Sequence, residues 1–356
     1  MPRWRQLIII DNFIIFADMI SMLAKHPTFP KGKRYSSFVG YFKMKYGERL
    51  QKIVLDAGFT CPNRDGKVGK GGCTFCDNAA FHPSYSTSGK SILLQLDEGI
   101  EFHKVRYRNT EHYLAYFQSY SNTYAPLSHL KSLYEEALSH PKVVGIVIGT
   151  RPDCVDDEKL DYLAELSQGR ILDGWERAMS DGSIRRNPIV IIEYGIESCH
   201  DITLKRINRG HDFKTAVDSV KKSAERGLDV GGHFIIGLPG ETKEMLLESC
   251  RLINELPLRS VKFHQLQIVK GTKIEKEYAE LPEDFLRFSL EEYIDFFTDM
   301  LETLRPDLYI ERFVGEVPPR FVNETPWGLI RNAELLRLLD EHLEKRKTWQ
   351  GRSVIK

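Results

Sequence analysis

The stretch "QKIVLDAGFTCPNRDGKVGKGGCTFC", residues 51–76, joins an apolar run to a loop that contains three cysteines. Its first nine residues are mostly apolar and β-branched, which is typical of a strand buried in a parallel sheet. The cysteines follow at positions 61, 73 and 76, with the spacing Cys-x11-Cys-x2-Cys. Because thiolates are ligands for zinc and for iron–sulfur clusters, the stretch predicts a strand that ends in a metal-binding loop.

The strand that opens this stretch is the first of six similar runs. Each run is followed by an amphipathic helical pattern, and several patterns begin at Ser, Thr or Asp, which are preferred N-caps. The alternation predicts an α/β fold with a right-handed parallel sheet, a six-unit (β/α)6 partial TIM barrel with N- and C-terminal extensions. The predicted strands are residues 51–59, 112–120, 143–151, 189–197, 229–238 and 260–268. The predicted helices are residues 91–105, 127–140, 156–167, 213–227, 242–256 and 289–304.

The chain of 356 residues divides on these patterns into three predicted regions. Residues 1–48 form an N-terminal extension that is basic from residue 25, residues 49–288 form the core barrel, and residues 289–356 form a C-terminal helical cap. The segment 168–188 is predicted to be an insertion before the fourth strand. Polar residues follow every predicted strand. Loops at the carboxyl ends of parallel strands carry the chemistry of such barrels, so the site is expected at that end.

The N-terminal stretch, residues 1–27, combines a basic start with an apolar run. Asp11 and Asp18 interrupt the run, no clean small-residue cleavage site follows, and the run is short for a bilayer span. Neither a signal peptide nor a membrane helix is therefore predicted. We expect a peripheral helix, or a start of the native protein at Met19 or Met22. Without a secretion signal or a paired cysteine framework, the sequence favours a cytoplasmic protein with no membrane contact.

A basic patch with interleaved aromatic residues spans residues 25–52. It holds eight Lys or Arg residues against one acid, Glu48, although the whole chain is balanced at 50 basic and 50 acidic residues. Such a patch suits a polyanion such as RNA, whose loops are bound by base stacking and phosphate contacts. The alternative interpretation is a solvated, partly amphipathic helix. The aromatic residues of the patch are Tyr35, Phe38, Tyr41, Phe42 and Tyr46.

Three cysteines leave two kinds of metal centre open. One is a Cys3His zinc site with His82 as the fourth ligand, which would make the chain a non-catalytic, zinc-stapled RNA-binding protein. The other is a [4Fe–4S] cluster in which Cys61, Cys73 and Cys76 bind three irons, and the fourth iron takes a small chelating ligand such as S-adenosylmethionine (SAM). A large hydrophobic barrel has little need of a zinc staple, which favours the cluster. A second cluster is not predicted, because the remaining cysteines are isolated: Cys154, Cys199 and Cys250.

Several motifs occur in one order from about residue 50 to residue 275: "LDAGFTCPNRDGKVGKGGCTFC", "YFQSYSNTYAP", "IGTRPDC", "INRGH" and "GLPGET". Together they resemble the radical SAM superfamily, and within it the YhcC-like branch that is related to the radical SAM domain of the Elongator catalytic subunit. The resemblance continues through "ERFVGEVPPR" and "TWQG" near the C-terminus. It implies one [4Fe–4S] cluster, SAM as cofactor, and an enzyme that cleaves SAM reductively to a 5′-deoxyadenosyl radical.

The resemblance also implies which residues contact SAM. Arg209 would pair with the methionine carboxylate, and Glu197 would accept hydrogen bonds from the ribose hydroxyls. Without the cysteine loop, the favoured interpretation of Arg209 would be a surface cation, and that of Glu197 a structural ion pair. The loop 118–122 would hold the methionine amino group, although the chain lacks the Gly-Gly-Glu found there in many relatives. The segment 233–241 would line the adenine. The implied cofactor-binding residues are Phe75, Gln118, Ser119, Glu197, Arg209, Gly237, Leu238 and Pro239.

The sequence specifies the cofactor chemistry more sharply than the substrate. Members of the branch resemble MnmL-type tRNA modification enzymes. This implies conversion of the carboxymethylaminomethyl group at C5 of wobble uridine to aminomethyl, with tRNA as partner and an electron donor such as flavodoxin or ferredoxin. The alternative is a radical SAM enzyme that acts on a small metabolite or a protein. No catalytic residue is predicted. Four side chains on the late strands either line the substrate pocket or are hydrogen-bonded within the core: His233, His264, Gln265 and Gln267.

Overall fold

Seven parallel strands form one curled sheet in the computed structural model, which describes residues 27, 29–30, 32–105, 110–324, 327–328 and 330–354. The strands are β1 (Gln51–Leu55), β2 (Tyr113–Phe117), β3 (Val143–Thr150), β6 (Ile189–Glu197), β7 (Asp229–Ile236), β8 (Ser260–Gln265) and β9 (Tyr309–Arg312). They lie side by side in chain order, and every neighbouring pair is parallel. Because β1 and β9 remain edges, the sheet is a half-barrel. The stretch 1–21 and both alternative start residues lie outside the described residues.

The six predicted strands and six predicted helices are confirmed, with bounds that differ by a few residues. Several helices begin where a side chain caps the first turn: Ser91 accepts from the Leu94 amide, and Ser289 forms a capping box with Glu292. Within the described ranges, no helix is long and apolar enough to cross a lipid bilayer. The helices are α1 (Phe38–Tyr46), α2 (Ile92–Lys104), α3 (Leu127–Ser139), α4 (Asp157–Ser167), α5 (Asp201–Arg206), α6 (Phe213–Glu225), α7 (Lys243–Asn254), α8 (Lys273–Glu280), α9 (Leu290–Thr303) and α10 (Asn332–Lys345).

The sheet differs from the six-stranded expectation by one strand, β9. This strand comes from the segment predicted to be a helical cap, and it pairs with β8 on one side. On its other side the Ile310 amide donates to the Ser36 carbonyl at 2.7 Å, so the edge is partly covered. Four residues with mixed burial give no clear apolar run, which is why the strand pattern was missed. The region boundaries at residues 48 and 288 stay predictions.

The insertion at 168–188 is confirmed as a departure from the strand–helix alternation. It contains a short antiparallel hairpin, β4 (Arg177–Ala178) and β5 (Ile184–Arg185), which forms a sheet of its own. Arg177 donates to the backbone carbonyls of Val143 and Leu138. The hairpin therefore packs at the amino end of β3, away from the loops that follow the strands.

Helix α1 closes the amino end of the half-barrel, and this corrects the interpretation of the basic, aromatic patch. Phe38, Tyr41 and Phe42 are buried and pack with residues near the starts of β2, β3 and β6. The Tyr41 hydroxyl donates to Asp229 at 2.7 Å, at the first residue of β7. Aromatic rings buried in this way cannot stack on RNA bases. An alternation of Lys and aromatic residues has the same sequence pattern whether the rings face solvent or the core.

A layer of buried charges lies inside the half-barrel, next to the buried aromatic side chains of α1. Lys52 pairs with Glu193 and, at 2.6 Å, with Glu311, while Lys262 lies 3.0 Å from Glu311 and 3.6 Å from Glu193. These four side chains come from β1, β6, β8 and β9. The two lysines balance the two glutamates, so we define them as the ionic layer. The ionic layer separates the buried aromatic side chains of α1 from the carboxyl end of the strands.

Candidate active site

The cysteine loop is folded tightly against the carboxyl end of the sheet. The Val68 amide donates to the Pro62 carbonyl at 2.8 Å, and the Gly72 amide donates to the Asn63 carbonyl at 2.9 Å. Gly71 and Gly72 have φ values of 80° and 77°, a left-handed conformation that glycine adopts without strain. Two such residues in succession turn the chain back toward the sheet immediately before Cys73.

The three thiols of this loop are close enough to influence one another. Cys61 and Cys73 are buried, Cys76 is half-buried, and all are free. Burial raises the pKa of Cys76 to about 11, and the neighbouring Cys73 adds to this effect, with a smaller contribution from Cys61. Thiols that raise one another's pKa lose protons more readily when a cation binds among them. The donor set therefore fits a metal centre.

A single zinc ion and an iron–sulfur cluster place different demands on the spacing of their ligands. Among the residues described, no three Cys, His, Asp or Glu side chains approach one another closely enough to hold one metal ion. His82 is held elsewhere: its Nε2 lies 2.8 Å from the Ser119 hydroxyl, and its Nδ1 lies 3.7 Å from Asp56. A [4Fe–4S] cluster accepts each thiolate on a different iron, so it tolerates a wider spacing of the three sulfurs. The Cys3His zinc alternative has no support in this geometry.

Arg209 and Glu197, which were predicted from different motifs, meet beside the cysteine loop. The buried Arg209 guanidinium donates to Cys73 Sγ at 3.5 Å and to the Gly195 carbonyl, and it lies 3.7 Å from Glu197. Burial opposes its charge, but Cys73 and Glu197 outweigh burial and raise the pKa of Arg209. Its buried Nε has no hydrogen-bond partner. Arg209 is therefore a fixed buried cation, not a surface residue.

Backbone strain is concentrated around this pair. Tyr120, Glu197 and Asn208 have φ values of 61°, 71° and 52°. Non-glycine residues in the left-handed region cost about 1–3 kcal/mol each and persist where surrounding contacts fix them. Asn208 shows such a contact, because its side-chain amide donates to the Gly72 carbonyl at 2.8 Å. The cysteine loop and the strained residues thus hold each other in place, as is common at functional sites.

A close approach at Gly195 makes this geometry possible. A Cβ atom there would lie 2.6 Å from Glu197 Oε1 and 2.8 Å from a terminal nitrogen of Arg209. Both distances are shorter than real Cβ contacts allow. The register of β6 against β7 also shifts between Gly195 and Glu197, and such an irregularity re-aims the following side chain. Gly195 was not singled out from sequence, although "YGIES" contains it.

The loop after β2 lies next to the cysteine loop, as expected, but its side chains are largely committed to the protein. Gln118 is half-buried at the end of the strand, and Ser119 is fully buried against His82. The Asn122 side chain donates to the Gly149 carbonyl at 2.7 Å. Two buried polar atoms of this loop have no hydrogen-bond partner, the Ser121 hydroxyl and Asn122 Oδ1. The sequence pointed to Gln118 and Ser119, and the structure adds Ser121 as a buried polar group without a hydrogen bond.

The segment after β7 packs on the last part of the cysteine loop. Leu238 is completely buried, and Phe75 packs against the cluster that it forms with Leu204 and Ile207. Pro239 is also buried, while Gly237, with φ of 85°, lines a cavity. The structure thus brings Phe75 and residues 237–239 together at the same end of the half-barrel. These contacts support the predicted neighbourhood, and the assignment to SAM stays a prediction.

Glu241, which closes the "GLPGET" motif, is a functional candidate that the sequence reasoning missed. It is 4% exposed and accepts a hydrogen bond from the Ser198 hydroxyl at 2.6 Å, while its second oxygen is buried without a partner. Burial raises its pKa from 4.5 to about 7. Glu241 is therefore poised to exchange a proton near neutral pH. The motif itself was the available signal, because a Glu at the end of a buried turn has no solvent to stabilise its charge.

The ionic layer forms the floor of the candidate site. Burial raises the pKa of Glu193, but Lys262 and Lys52 outweigh burial and hold that pKa well below its ordinary value. His233 lies directly above, with Nε2 2.8 Å from Glu193, and its ring is 6.1 Å from that of His264. Burial lowers the pKa of His264 far below its ordinary value. The sequence pointed to both histidines but gave no sign of the charges beneath them.

A cavity of about 1170 Å³ opens between the two edges of the half-barrel. On the β1 side its wall contains His82 and Phe102, and on the β8 side it contains Gln265 and Gln267. Gln265 is fixed by two hydrogen bonds with the Gly315 backbone, at 2.8 and 3.1 Å. The volume is suited to a nucleoside-sized or larger ligand. The aromatic side chains on its wall are Phe81, Phe102, Tyr278, Phe285, Phe288 and Trp327.

Comparison with known proteins identifies the family to which this site belongs. The model of the Radical SAM superfamily matches residues 183–253, and that of the Radical_SAM C-terminal domain matches residues 258–345. The chain is 35% identical over 325 residues to the uncharacterized protein YtqA of Bacillus subtilis, which covers 90% of this chain and 92% of YtqA. The chain belongs to the radical SAM superfamily. Protein YhcC of Escherichia coli is also 35% identical, over 317 residues that cover 87% of this chain and 94% of YhcC, which confirms the YhcC-like branch.

Two more distant proteins are also similar to this radical SAM chain, one in structure and one in sequence. The structure of Elp3 from the archaeon Methanocaldococcus infernus, lacking its N-terminal residues 1–46, superimposes with a TM-score of 0.61 at 14% identity. The match covers 85% of this chain and 64% of that one, and it shows a shared fold. The tRNA uridine(34) acetyltransferase of Dehalococcoides mccartyi is 24% identical over 200 residues, 55% of this chain and 38% of that protein. Membership of the superfamily implies a [4Fe–4S] cluster and SAM.

Proposed function

We propose that this radical SAM enzyme acts on the wobble uridine of tRNA and converts its C5 carboxymethylaminomethyl group to aminomethyl. The 5′-deoxyadenosyl radical would take a hydrogen atom from the carbon between nitrogen and carboxylate, the oxidised cluster would take the remaining electron, and water would hydrolyse the resulting C=N bond to release the two-carbon unit as glyoxylate. The observation that carries the proposal is the cavity of about 1170 Å³ with six aromatic side chains on its wall. An enzyme that modifies a base must take it out of the stack into a pocket, where aromatic side chains hold it by stacking. The name of the more distant relative, a tRNA uridine(34) acetyltransferase, supports a uridine at that position.

Within this proposal the cysteine loop and the residues around Arg209 bind the cofactors. Cys61, Cys73 and Cys76 hold the cluster. When bound, the cluster and SAM supply a 5′-deoxyadenosyl radical once a donor such as flavodoxin or ferredoxin provides an electron. Arg209 offers a buried cation with an unpaired Nε, which suits the methionine carboxylate of SAM. Glu197 would accept hydrogen bonds from the ribose hydroxyls, and its left-handed backbone, with φ of 71°, sets the direction in which its carboxylate leaves the strand.

The remaining SAM contacts follow the packing at the end of the sheet. Gln118 and Ser119 would contact the methionine amino group, while Gly237, Leu238 and Pro239 would present backbone groups to the adenine. Phe75 packs against the Leu238 cluster and shields this part of the site from water. Shielding matters because a carbon radical must be kept from reacting with anything except the substrate.

The direct test is mass spectrometry of wobble uridines from a strain in which the gene is deleted. We expect carboxymethylaminomethyl-uridine to accumulate and aminomethyl derivatives to disappear. Complementation with the wild-type gene should restore them, whereas the matched Cys76→Ala gene should not. If aminomethyl derivatives persist in the deletion strain, the substrate assignment is wrong, and a small metabolite or a protein becomes the substrate to seek.

A second measurement separates the cofactor assignment from the substrate assignment. Anaerobically purified protein should be brown and contain about four irons per chain. Reduction in the presence of SAM should release 5′-deoxyadenosine. A colourless preparation with one zinc per chain would contradict the cluster, whatever the outcome with tRNA.

A further inference from the structure

Four exposed cations surround the cysteine loop and form a patch that we define as the loop rim: Arg64, Lys67, Lys70 and Lys273. Three of them lie on the loop, and Lys273 opens α8, whose Ile274 amide donates to the Thr74 carbonyl at 3.0 Å. The Lys273 ammonium is 3.3 Å from the position that a Cβ on Gly71 would take. The four cations therefore lie on or next to the loop that carries the predicted cluster ligands.

None of these four cations has a carboxylate partner among the described residues, unlike Arg206, Arg226 and Arg346. The Arg64 guanidinium instead lies over the Tyr120 ring at 5.6 Å, and the Lys67 ammonium lies over the Tyr124 ring at 5.3 Å. A cation stacked on an aromatic face keeps its charge available to an anion. The one acid within the loop, Asp65, accepts from the Lys67 backbone amide at 3.0 Å.

The opposite end of the half-barrel shows the contrary pattern. Lys52 belongs to the ionic layer, and Lys45 pairs with Asp229 at 3.0 Å. Phe38, Tyr41 and Phe42, which lie between these cations in sequence, are buried against the amino end of the sheet. The sequence placed a polyanion surface there, but the structure leaves accessible cations and half-exposed tyrosines at the cysteine loop instead.

We propose that the loop rim is the surface that binds the phosphodiester backbone of the substrate RNA, an inference that rests on the proposed function. Single-stranded RNA is bound by grooves that combine cations for the phosphates with aromatic rings for the bases. The loop rim supplies both, with Tyr120 and Tyr124 between its cations. Lys273 shares α8 with the cavity residues Lys276 and Tyr278, so an RNA strand bound on the loop rim lies beside the cavity that receives the target nucleotide.

The salt dependence of binding gives the proposal a magnitude. Each phosphate neutralised by a cation contributes about 0.7 to 0.9 to the slope of log affinity against log salt concentration. Loss of three cations should therefore lower that slope by about 2 to 3 and weaken binding by about tenfold or more at 0.1 M salt. A general loss of net charge would weaken binding less and would not depend on where the charges lie.

The experiment compares two triple variants of the anaerobically reconstituted holoenzyme. Lys67→Gln/Lys70→Gln/Lys273→Gln removes three charges from the loop rim. The matched control, Lys43→Gln/Lys142→Gln/Lys221→Gln, removes three exposed charges elsewhere. Binding of unfractionated tRNA and of an anticodon stem-loop RNA is measured by fluorescence anisotropy from 0.05 to 0.3 M salt. Iron content and the thermal midpoint establish that both variants fold and carry their cluster.

We expect the loop-rim variant to bind weakly with a shallow salt slope and the control to match the wild type. Equal affinity of the two variants for tRNA would overturn the loop-rim proposal and leave the proposed function standing. Failure of the wild-type holoenzyme to bind either RNA would overturn the RNA substrate itself. Displacement of tRNA by polyglutamate at equal charge concentration would also overturn the RNA substrate, since the surface would then favour acidic polypeptides.

Discussion

The ionic layer makes a quantitative prediction through the substitution Glu193→Gln. Glu193 is 1% exposed and pairs with Lys52 and Lys262, and its partner acid Glu311 balances the second of these charges. The substitution keeps the size and most hydrogen-bonding capacity of the side chain but leaves two buried lysines with one carboxylate. An uncompensated buried charge costs about 3–5 kcal/mol. Because Glu311 still contacts both lysines, we expect a loss near the lower figure, about 3 kcal/mol of unfolding free energy.

A loss of this size is measurable against the total stability of a folded protein, about 5–15 kcal/mol. Urea unfolding followed by circular dichroism under anaerobic conditions gives the midpoint and the slope for each variant. The double variant Glu193→Gln/Lys262→Met restores charge balance, with Lys52 facing Glu311. It should therefore recover at least about 1 kcal/mol relative to Glu193→Gln alone.

The stability of the single variant Glu193→Gln should also depend on pH, because Lys262 loses one of its two carboxylate partners. Burial already lowers the pKa of Lys262, and without Glu193 its folded-state pKa should fall further below the ordinary value of about 10.4. The unfolded chain then binds more protons than the folded one, so the stability of Glu193→Gln should rise with pH in that window. The deficit relative to wild type should narrow as pH approaches about 10. A loss below about 1 kcal/mol, or a double variant no more stable than the single one, would refute the reasoning.

Three further predictions concern the site itself. Cys76→Ala should abolish iron binding and colour, whereas His82→Ala should retain about four irons per chain; iron loss in both variants would favour a His82 ligand. Because burial raises the pKa of Glu241 from 4.5 to about 7, its contribution to stability is full below pH 4.5 and is lost as pH rises through 7. Glu241→Gln should remove this loss of unfolding free energy, which amounts to up to about 3 kcal/mol. The thermal midpoint of the variant should therefore change less between pH 5 and 8 than that of the wild type, and equal changes in the two proteins would contradict the prediction. Gly195→Ala should raise the Kd for SAM at least about tenfold with the fold intact, since its Cβ would collide with Glu197 and Arg209, and unchanged SAM binding by calorimetry would count against that contact.

Much of the strand and helix content was predictable because it depends on local patterns. The six predicted strands are runs of mostly apolar residues, with β2 and β3 buried on both faces, and several following helices begin at a side chain that caps its own first turn. The Cys-x11-Cys-x2-Cys spacing was equally local, since all three thiols lie on one loop. The family resemblance assigned Arg209 and Glu197 to different groups of SAM and did not predict that the two side chains meet. Twelve residues separate them in sequence, and neither residue specifies the other.

The sequence by itself therefore determined the alternation of strands and helices, the position of the cysteine loop and the superfamily to which the chain belongs. Only the tertiary structure decided what lies beneath and around that loop. Lys52 pairs with Glu193 and Glu311, 141 and 259 residues away, because the order of strands in the sheet places them side by side. The same folding buries Phe38, Tyr41 and Phe42 of α1 and leaves the four loop-rim cations without carboxylate partners among the described residues. Local periodicity reports the burial of one segment, whereas the partner of a charge depends on which segments meet.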